Sequence, residues 1–192
     1  MKRDEQILDV AADLFLERGF NNVTLDEIGA QLGITGPAIY RHFSSKDDLL
    51  ATLFDQTMDH LLLLVDQTQA SVEPAAALES LIRAQVEFAL TDRRQIAIYT
   101  RESKSLSEGL RRRHNRRERK QIERWVTALE AVYPHRSNAE LLSATHACIG
   151  MTLSVAQWSR EALRTPGLNE LLYALIKGAL GALGDPAGAG ET

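Results

Sequence analysis

Apolar residues return every three or four positions along almost the whole chain, the spacing that turns one face of an α-helix toward a core. Ile7, Leu8, Ala11, Ala12, Leu14, Phe15 and Leu16 mark a first helix from about Arg3 to Arg18, with Gly19 as its αL stop. Thr24 followed three residues later by Glu27 is a capping-box pattern, and it opens a short helix through Ile28, Ala30 and Leu32 that ends at Gly33. Ile34 fills the turn. Thr35-Gly36-Pro37 then starts a third helix, proline in its first turn, holding Ala38, Ile39, Tyr40, Arg41, His42 and Phe43. Ser45 to Asp48 caps a longer helix whose inward side is Leu49, Leu50, Leu53, Phe54, Met58, Leu61, Leu62 and Val65.

Past Pro74 the helical spacing persists. One helix carries Leu78, Leu81, Ile82 and Phe88, and another begins at Ile96, Ile98 and Tyr99. A long one runs through Leu110, Ile122, Trp125 and Leu129 to Tyr133-Pro134. Ser137 or Asn138 caps a helix with Leu141, Leu142, Ile149, Leu153 and Trp158, and a last one spans Leu168 to Leu183. No stretch alternates with the period of a strand, and no segment repeats. The pattern predicts an all-α fold of about nine helices.

The two short helices, Thr24 to Gly33 and Thr35 to Phe43, joined by a glycine-containing turn, have the layout of a helix-turn-helix, whose second helix enters the DNA major groove. On that reading Ile28, Leu32, Ile34, Ile39 and Phe43 lock the unit to Leu14 and Phe15, leaving Thr35, Gly36, Pro37, Ala38, Arg41 and His42 facing outward. Small residues at the helix start allow close backbone approach, and Arg41 can read a guanine through O6 and N7. Tyr40, the Thr24 hydroxyl and Lys46 are placed for phosphates.

The segment Ile7 to Leu50 also resembles the N-terminal domain of the TetR family of bacterial transcriptional repressors. The shared marks are A-x-x-L-F-x-x-x-G-[FY], T-x-x-x-I-[GA], G-[IV]-[ST]-x-x-x-[IL]-Y-x-H-F and S-K-x-x-L, in order and at the family's spacing. The resemblance implies Thr24, Tyr40 and Lys46 on the phosphate backbone, and Thr35 to Ala38 with Arg41 and His42 toward the groove. It also implies a helical ligand-binding core and a homodimer made by the last two helices. The boundaries that follow are 1–48 for the DNA-binding domain, 49–184 for the ligand-binding and dimerisation domain, and 185–192 for a flexible tail.

Composition qualifies this picture. The 192 residues carry a net charge of −4, so affinity for nucleic acid must come from local placement of charge. Residues 1 to 50 hold Lys2, Arg3, Arg18, Arg41 and Lys46 against nine acids. This balance predicts weak non-specific affinity with a strong salt dependence. The first ten residues, MKRDEQILDV, contain no apolar signal region, and the longest unbroken aliphatic run is Leu61 to Val65. A cytoplasmic protein without membrane partners is the expectation. Cys148 is the only cysteine, which excludes an internal disulfide and the multi-cysteine zinc motifs, and the scattered histidines give no metal or catalytic spacing. No cofactor is expected.

In the second half, Leu168 to Leu183 bears an apolar stripe wider than one neighbour needs, and Ala144, Ala147, Gly150 and Ala156 suit close helix contact. Two such helices from each subunit make a four-helix bundle, and a twofold dimer lets two short helices read a palindrome. A monomeric core using the same stripe is the alternative. Arg101 to Arg124 is strongly basic, with ten Lys/Arg and four acids. A solvated face of Glu/Arg pairs explains it, or else capture of a phosphorylated ligand, since arginine binds phosphate bidentately. The region IYTRESKSL…RRERKQIERW resembles family members that respond to acyl-coenzyme A. Phe88, Tyr99, Arg117, Trp125 and Trp158 are the expected lining of a small-molecule site. The reading from another class is a helical-bundle enzyme or carrier, which needs convergent titratable groups that the sequence does not display.

Overall fold

Gly19 ends the first helix with φ +83° and ψ 148°, a positive φ but an extended ψ, so it is not the αL stop expected of it. The computed structural model describes residues 2–68 and 73–184, which leaves the proposed tail 185–192 outside the described residues. Among the described residues the elements are α1 (Arg3–Arg18), α2 (Leu25–Gln31), α3 (Gly36–Ile39), α4 (Lys46–Thr68), α5 (Pro74–Thr91), α6 (Arg93–Glu102), α7 (Glu108–Val132), α8 (Asn138–Ser154) and α9 (Leu168–Gly181), with four short 3-10 turns between them. The all-α expectation holds. The chain forms two units: residues to Met58 with Arg94–Arg116, and Asp59–Arg93 with the chain from Arg117.

The first unit contains the whole 1–48 segment. Its core joins Ile7, Leu8, Ala11, Ala12 and Phe15 of α1 to Ile28, Ile39, Phe43, Leu49, Leu50, Phe54 and Ile98. Phe15 and Phe20 meet edge to face, 5.2 Å between ring centres. The end of α6 closes the C-terminus of α1. The Arg101 guanidinium donates to the carbonyls of Leu16 (2.8 Å) and Phe15. The buried Glu102 carboxylate accepts from the Phe20 N–H at 3.2 Å, Arg101 Nε at 2.8 Å and Ser105 Oγ at 3.2 Å. Bonds to charged groups contribute ~1.5–3 kcal/mol each, so this junction is a strong tie.

In the second unit α5 packs on α8 and α9 around Leu78, Leu81, Ile82, Leu141, Leu172 and Ile176. Arg83 clasps α5 to α9, bonding Glu170 at 3.0 Å and Glu79 at 3.2 Å while stacking 4.0 Å over the Tyr173 ring. His60 Nδ1 lies 2.7 Å from Asp92 Oδ2, tying α4 to the end of α5. Beside the Arg83 clasp an open groove of about 360 Å³ runs past Val86, Leu90 and Tyr173.

The basic stretch behaves differently from either expectation. Arg112 makes one i,i+4 pair with Glu108 at 2.6 Å, but the other paired arginines of α7 reach across to α4. Arg113 pairs with Asp55 in the first unit, and Arg117 with Asp59 and Arg124 with Asp66 (3.1 Å) in the second. The constant offset follows from helical spacing on both partners, and it spends cations that a phosphorylated ligand needs. Hydropathy also reads differently on a folded chain: Asn138–Gln157 is long and apolar enough to cross a bilayer, by length and composition alone. An unbroken-run criterion misses it because polar residues interrupt it.

Candidate nucleic-acid interface

The site is built on the capped start of α2. The Thr24 hydroxyl accepts from the Glu27 N–H at 3.2 Å, while the Thr24 N–H donates to Glu27 Oε2 at 2.7 Å, completing the capping box. Arg18 adds a 2.5 Å ion pair to Glu27. The Thr24 backbone bond first, then the Arg18 and Thr24 side chains, hold the Glu27 carboxyl down to about 2. Thr24 also donates its hydroxyl proton to Glu27 Oε2 (2.9 Å), so a phosphate at this position competes with an internal acceptor.

From α2 the chain turns at Gly33, whose φ of +65° is the left-handed region that favours glycine. Two glycines then bring α2 and α3 together. A Cβ on Gly29 sits 2.7 Å from the Ile34 carbonyl oxygen, and one on Gly36 sits 2.0 Å from Asp26 Oδ1. Gly36 is therefore buried against α2 rather than facing outward, a correction to the reading that placed it toward the groove. Gly29 is the small residue that closes the T-x-x-x-I-[GA] mark, and its close approach to the Ile34 carbonyl is the physical reason for it.

α3 itself is shorter than expected. It ends at Ile39, and Tyr40 to His42 form a turn held by Arg41 N–H to Ala38 O (3.3 Å) and His42 N–H to Ile39 O (2.9 Å). These i→i+3 bonds tighten the backbone so that buried Phe43 can re-enter the core beside Ile39. Thr35, Pro37, Tyr40, Arg41 and His42 are exposed, and Ala38 is half-buried. Tyr40 is 60% exposed, the largest exposure of any large apolar side chain among the described residues. Arg41 has no side-chain partner among the described residues. His42 differs: its Nδ1 lies 2.5 Å from Asp4 Oδ1, which ties the turn to α1.

Lys46 opens α4 and has a structural task as well. Its ammonium donates to the carbonyls of Phe20 and Val23, both at 2.8 Å, and lies 4.4 Å above the Phe20 ring. Two of its three N–H bonds are thereby used to fix the chain ahead of α2. The reciprocal bonds Ser44 N–H to Asp48 (2.9 Å) and Asp48 N–H to Ser45 Oγ (3.0 Å) cap the same helix.

The acidic balance of the segment is offset in three dimensions. Arg94 of α6 pairs with Asp9 (2.7 Å) and Asp13 (3.3 Å), Arg18 with Glu27, and His42 with Asp4. Sequence counting over residues 1 to 50 could not register Arg94.

The residues expected to line a ligand site are distributed over both units. Tyr99 belongs to the first unit, edge to face with Phe54 (5.4 Å between ring centres) and 5.0 Å from the His114 ring. Phe88, Arg117, Trp125 and Trp158 belong to the second. There Phe88 and Trp125 are fully or nearly buried, Arg117 is occupied by Asp59, and half-exposed Trp158 donates to Ser154 Oγ at 3.2 Å. Burial pushes the Cys148 thiol up to about 11, so it is a packed thiol rather than a nucleophile.

A capped helix, a glycine-tight turn and a short helix that presents an exposed face define a helix-turn-helix protein with a helical second unit. Residues 7–53 match the profile of bacterial regulatory proteins of the tetR family, and residues 71–162 that of the tetracyclin repressor-like C-terminal domain. The chain belongs to the TetR family. Among curated relatives, the HTH-type transcriptional repressor KstR2 of Rhodococcus jostii is 32% identical over 105 residues, which is 54% of this chain and 52% of that protein. The chain thus spans about half the length of the curated relatives it matches. Two solved structures share the fold. The ketosteroid transcriptional regulator KstR2 of Mycobacterium tuberculosis has a TM-score of 0.79 at 23% identity, covering 94% of both chains. AibR, in complex with isovaleryl coenzyme A and operator DNA, has a TM-score of 0.78 at 20% identity, covering 96% of this chain and 100% of that one. Membership in a family of regulatory proteins sets aside the enzyme alternative.

Proposed function

We propose that this chain is a homodimeric transcriptional repressor that binds a palindromic operator in double-stranded DNA and is released by a lipid-like small molecule. The observation that carries the reading is the exposed set Pro37, Tyr40, Arg41 and His42, with Arg41 lacking a side-chain partner among the described residues, on a short helix and turn that Gly29 and Gly36 fix against α2. In this reading Thr35, Pro37, Ala38 and Arg41 approach base edges. Thr24, Tyr40 and the remaining N–H of Lys46 meet phosphates, and His42 joins the groove face when it leaves Asp4. Gly36 serves by its lack of a side chain. A cytoplasmic location is in keeping with a DNA ligand.

Dimerisation is supported by the uncovered apolar side of the last two helices. Leu142 of α8 and Leu171 and Leu175 of α9 are exposed, and a Cβ on Gly150 or Gly178 meets nothing within 4 Å. A second copy covering α8 and α9 buries this surface, which also accounts for the bilayer-like composition of Asn138–Gln157. An effector in the second unit acts through α4, which is continuous from Lys46 to Thr68. It works by preferring a dimer whose recognition helices no longer fit grooves ~34–36 Å apart. AibR offers coenzyme A thioesters as one effector class. Among the described residues Arg111, Arg116, Arg119 and Lys120 have no ion-pair partner, which leaves basic charge for one.

Binding-site selection from random DNA by the purified protein is the test. Enrichment of an inverted repeat supports the reading, and recovery of no sequence refutes it. On the selected site Arg41→Ala is expected to lose ~1–3 kcal/mol, relaxing one base pair per half-site while binding to random DNA stays unchanged. Equal losses on both DNAs remove Arg41 from the groove.

A further inference from the structure

Among the described residues of the second unit four polar side chains are buried: Gln85 of α5, Gln121 of α7, and Thr145 and Thr152 of α8. All are uncharged. Gln85 Nε2 donates to Thr152 Oγ1 at 3.2 Å, and Thr152 donates to the Ile149 carbonyl at 2.8 Å. The rest of this chemistry has no protein partner among the described residues: Gln85 Oε1, both amide atoms of Gln121, Thr145 Oγ1 and the indole N–H of Trp125. Trp125 is fully buried, and it stands one helical turn beyond Gln121 on the same face of α7. Buried polar atoms in folded proteins are almost always paired, and an orphan costs the full desolvation of the group. Buried atoms of this kind on three helices of one unit leave hydrogen-bonding capacity that a polar guest can satisfy.

The donors and acceptors identify the guest. Gln121 Nε2 and Trp125 Nε1–H are donors one helical turn apart on α7, suited to an oxygen acceptor such as a carbonyl. Gln85 Oε1, Gln121 Oε1 and the Thr145 hydroxyl can take a hydroxyl or amide hydrogen. What the interior lacks is equally informative. No Lys, Arg or His side chain is buried among the described residues of this unit, and Arg124, on α7 beside Trp125, is half-exposed and engaged with Asp66. A carboxylate brought here has no counter-charge and bears its desolvation alone. The apolar surroundings, among them Leu81, Ile82 and Leu129, favour an aliphatic body.

Building on the ligand-responsive reading, we infer that the effector presents an uncharged carbonyl on an aliphatic chain to Gln121 and Trp125, and that free carboxylates are rejected. A free ketone and the thioester end of an acyl-coenzyme A share this chemistry.

The test uses the full chain with Trp158→Phe, leaving Trp125 as the only tryptophan reporter. Three probes of one chain length, 2-decanone, decanoate and decanoyl-coenzyme A, are titrated against Trp125 emission. The expected result is saturable binding of the ketone or the thioester at least tenfold tighter than decanoate. Adding Gln121→Leu should weaken the preferred probe at least tenfold. It should also leave the melting temperature of the free protein equal or higher, because an orphaned amide is removed. Thr145→Val, close in shape, is the second variant and should show the same opposed signs. Saturation by the ketone alone assigns a free carbonyl compound, and by the thioester alone a coenzyme A ester. Decanoate binding as tightly as the others, no saturable binding of any probe, or unchanged affinity in both variants overturns the inference. Operator binding by the unliganded protein is measured separately, so a regulator with a different effector class is told apart from a protein that does not bind DNA.

Discussion

In the first unit charged side chains meet backbone. Glu102 takes the Phe20 N–H, Arg101 takes two carbonyls of α1, and Lys46 takes two more ahead of α2. Among the described residues of the second unit the buried polar side chains are neutral amides and hydroxyls, several of their atoms without a protein partner, and Leu142 of α8 and Leu171 and Leu175 of α9 are exposed. One unit is over-determined, its α1–α2–α3 geometry fixed from several directions. The other is left incomplete within a single chain. That is the division expected when one part must hold a rigid shape against a rigid duplex and the other must accept a guest and a second copy.

The largest expected effect breaks the first half of this contrast. Glu102→Ala removes an almost fully buried carboxylate and leaves the Phe20 N–H and Arg101 Nε without their acceptor. A loss of ~1–3 kcal/mol is expected, the scale for leaving a buried donor without its acceptor. Urea unfolding should show it, and Glu102→Gln, which keeps an acceptor for the Phe20 N–H, should recover part. A loss below ~1 kcal/mol contradicts the over-determined junction.

A smaller effect separates the two glycines of the helix-turn-helix. A Cβ at Gly29 meets backbone, the Ile34 carbonyl oxygen, which cannot withdraw without moving the turn. Gly29→Ala is expected to cost ~1–2 kcal/mol, an overpacking penalty partly offset by alanine's better helix propensity. At Gly36 the nearest atom belongs to the Asp26 side chain, which can swing outward. Gly36→Ala should cost less than Gly29→Ala, and Asp26→Ala placed beside it should relieve most of that cost. Equal penalties that Asp26→Ala leaves unrelieved count against this account.

The same contrast explains what could be read from the chain alone. Helix positions, the Thr24 and Ser137 caps and the inward faces follow from local spacing, and the structure keeps them. The short recognition segment was visible through its motif. The tightening at Tyr40 to His42 was not, because it depends on Phe43 reaching a core built by distant residues. Glu102, Arg101 and Arg94 gave no local signal of their role, since each acts on α1 or its following turn from more than eighty positions away. Gly36 was misplaced because small residues read equally well as an open surface and as a close contact. Aromatic content identified Trp125 and Phe88 as interior, but only packing reveals Gln121, a residue type that spacing arguments assign to solvent.

The smallest effect on either fold bears on the uncovered surface. Leu175 on α9 is 53% exposed, so Leu175→Glu should change the stability of an isolated subunit by no more than about 0.5 kcal/mol. Its consequence for association should be large, because a twofold axis brings two such carboxylates to one apolar contact, where each charge must be desolvated. Sedimentation at micromolar concentration is expected to show dimers for the parent chain and monomers for Leu175→Glu. The same substitution should abolish preference for an inverted repeat over a single half-site while leaving half-site binding intact. A variant that stays dimeric shows that α9 is not the contact. One that loses half-site binding as well shows that the surface supports the fold of the chain, not its pairing.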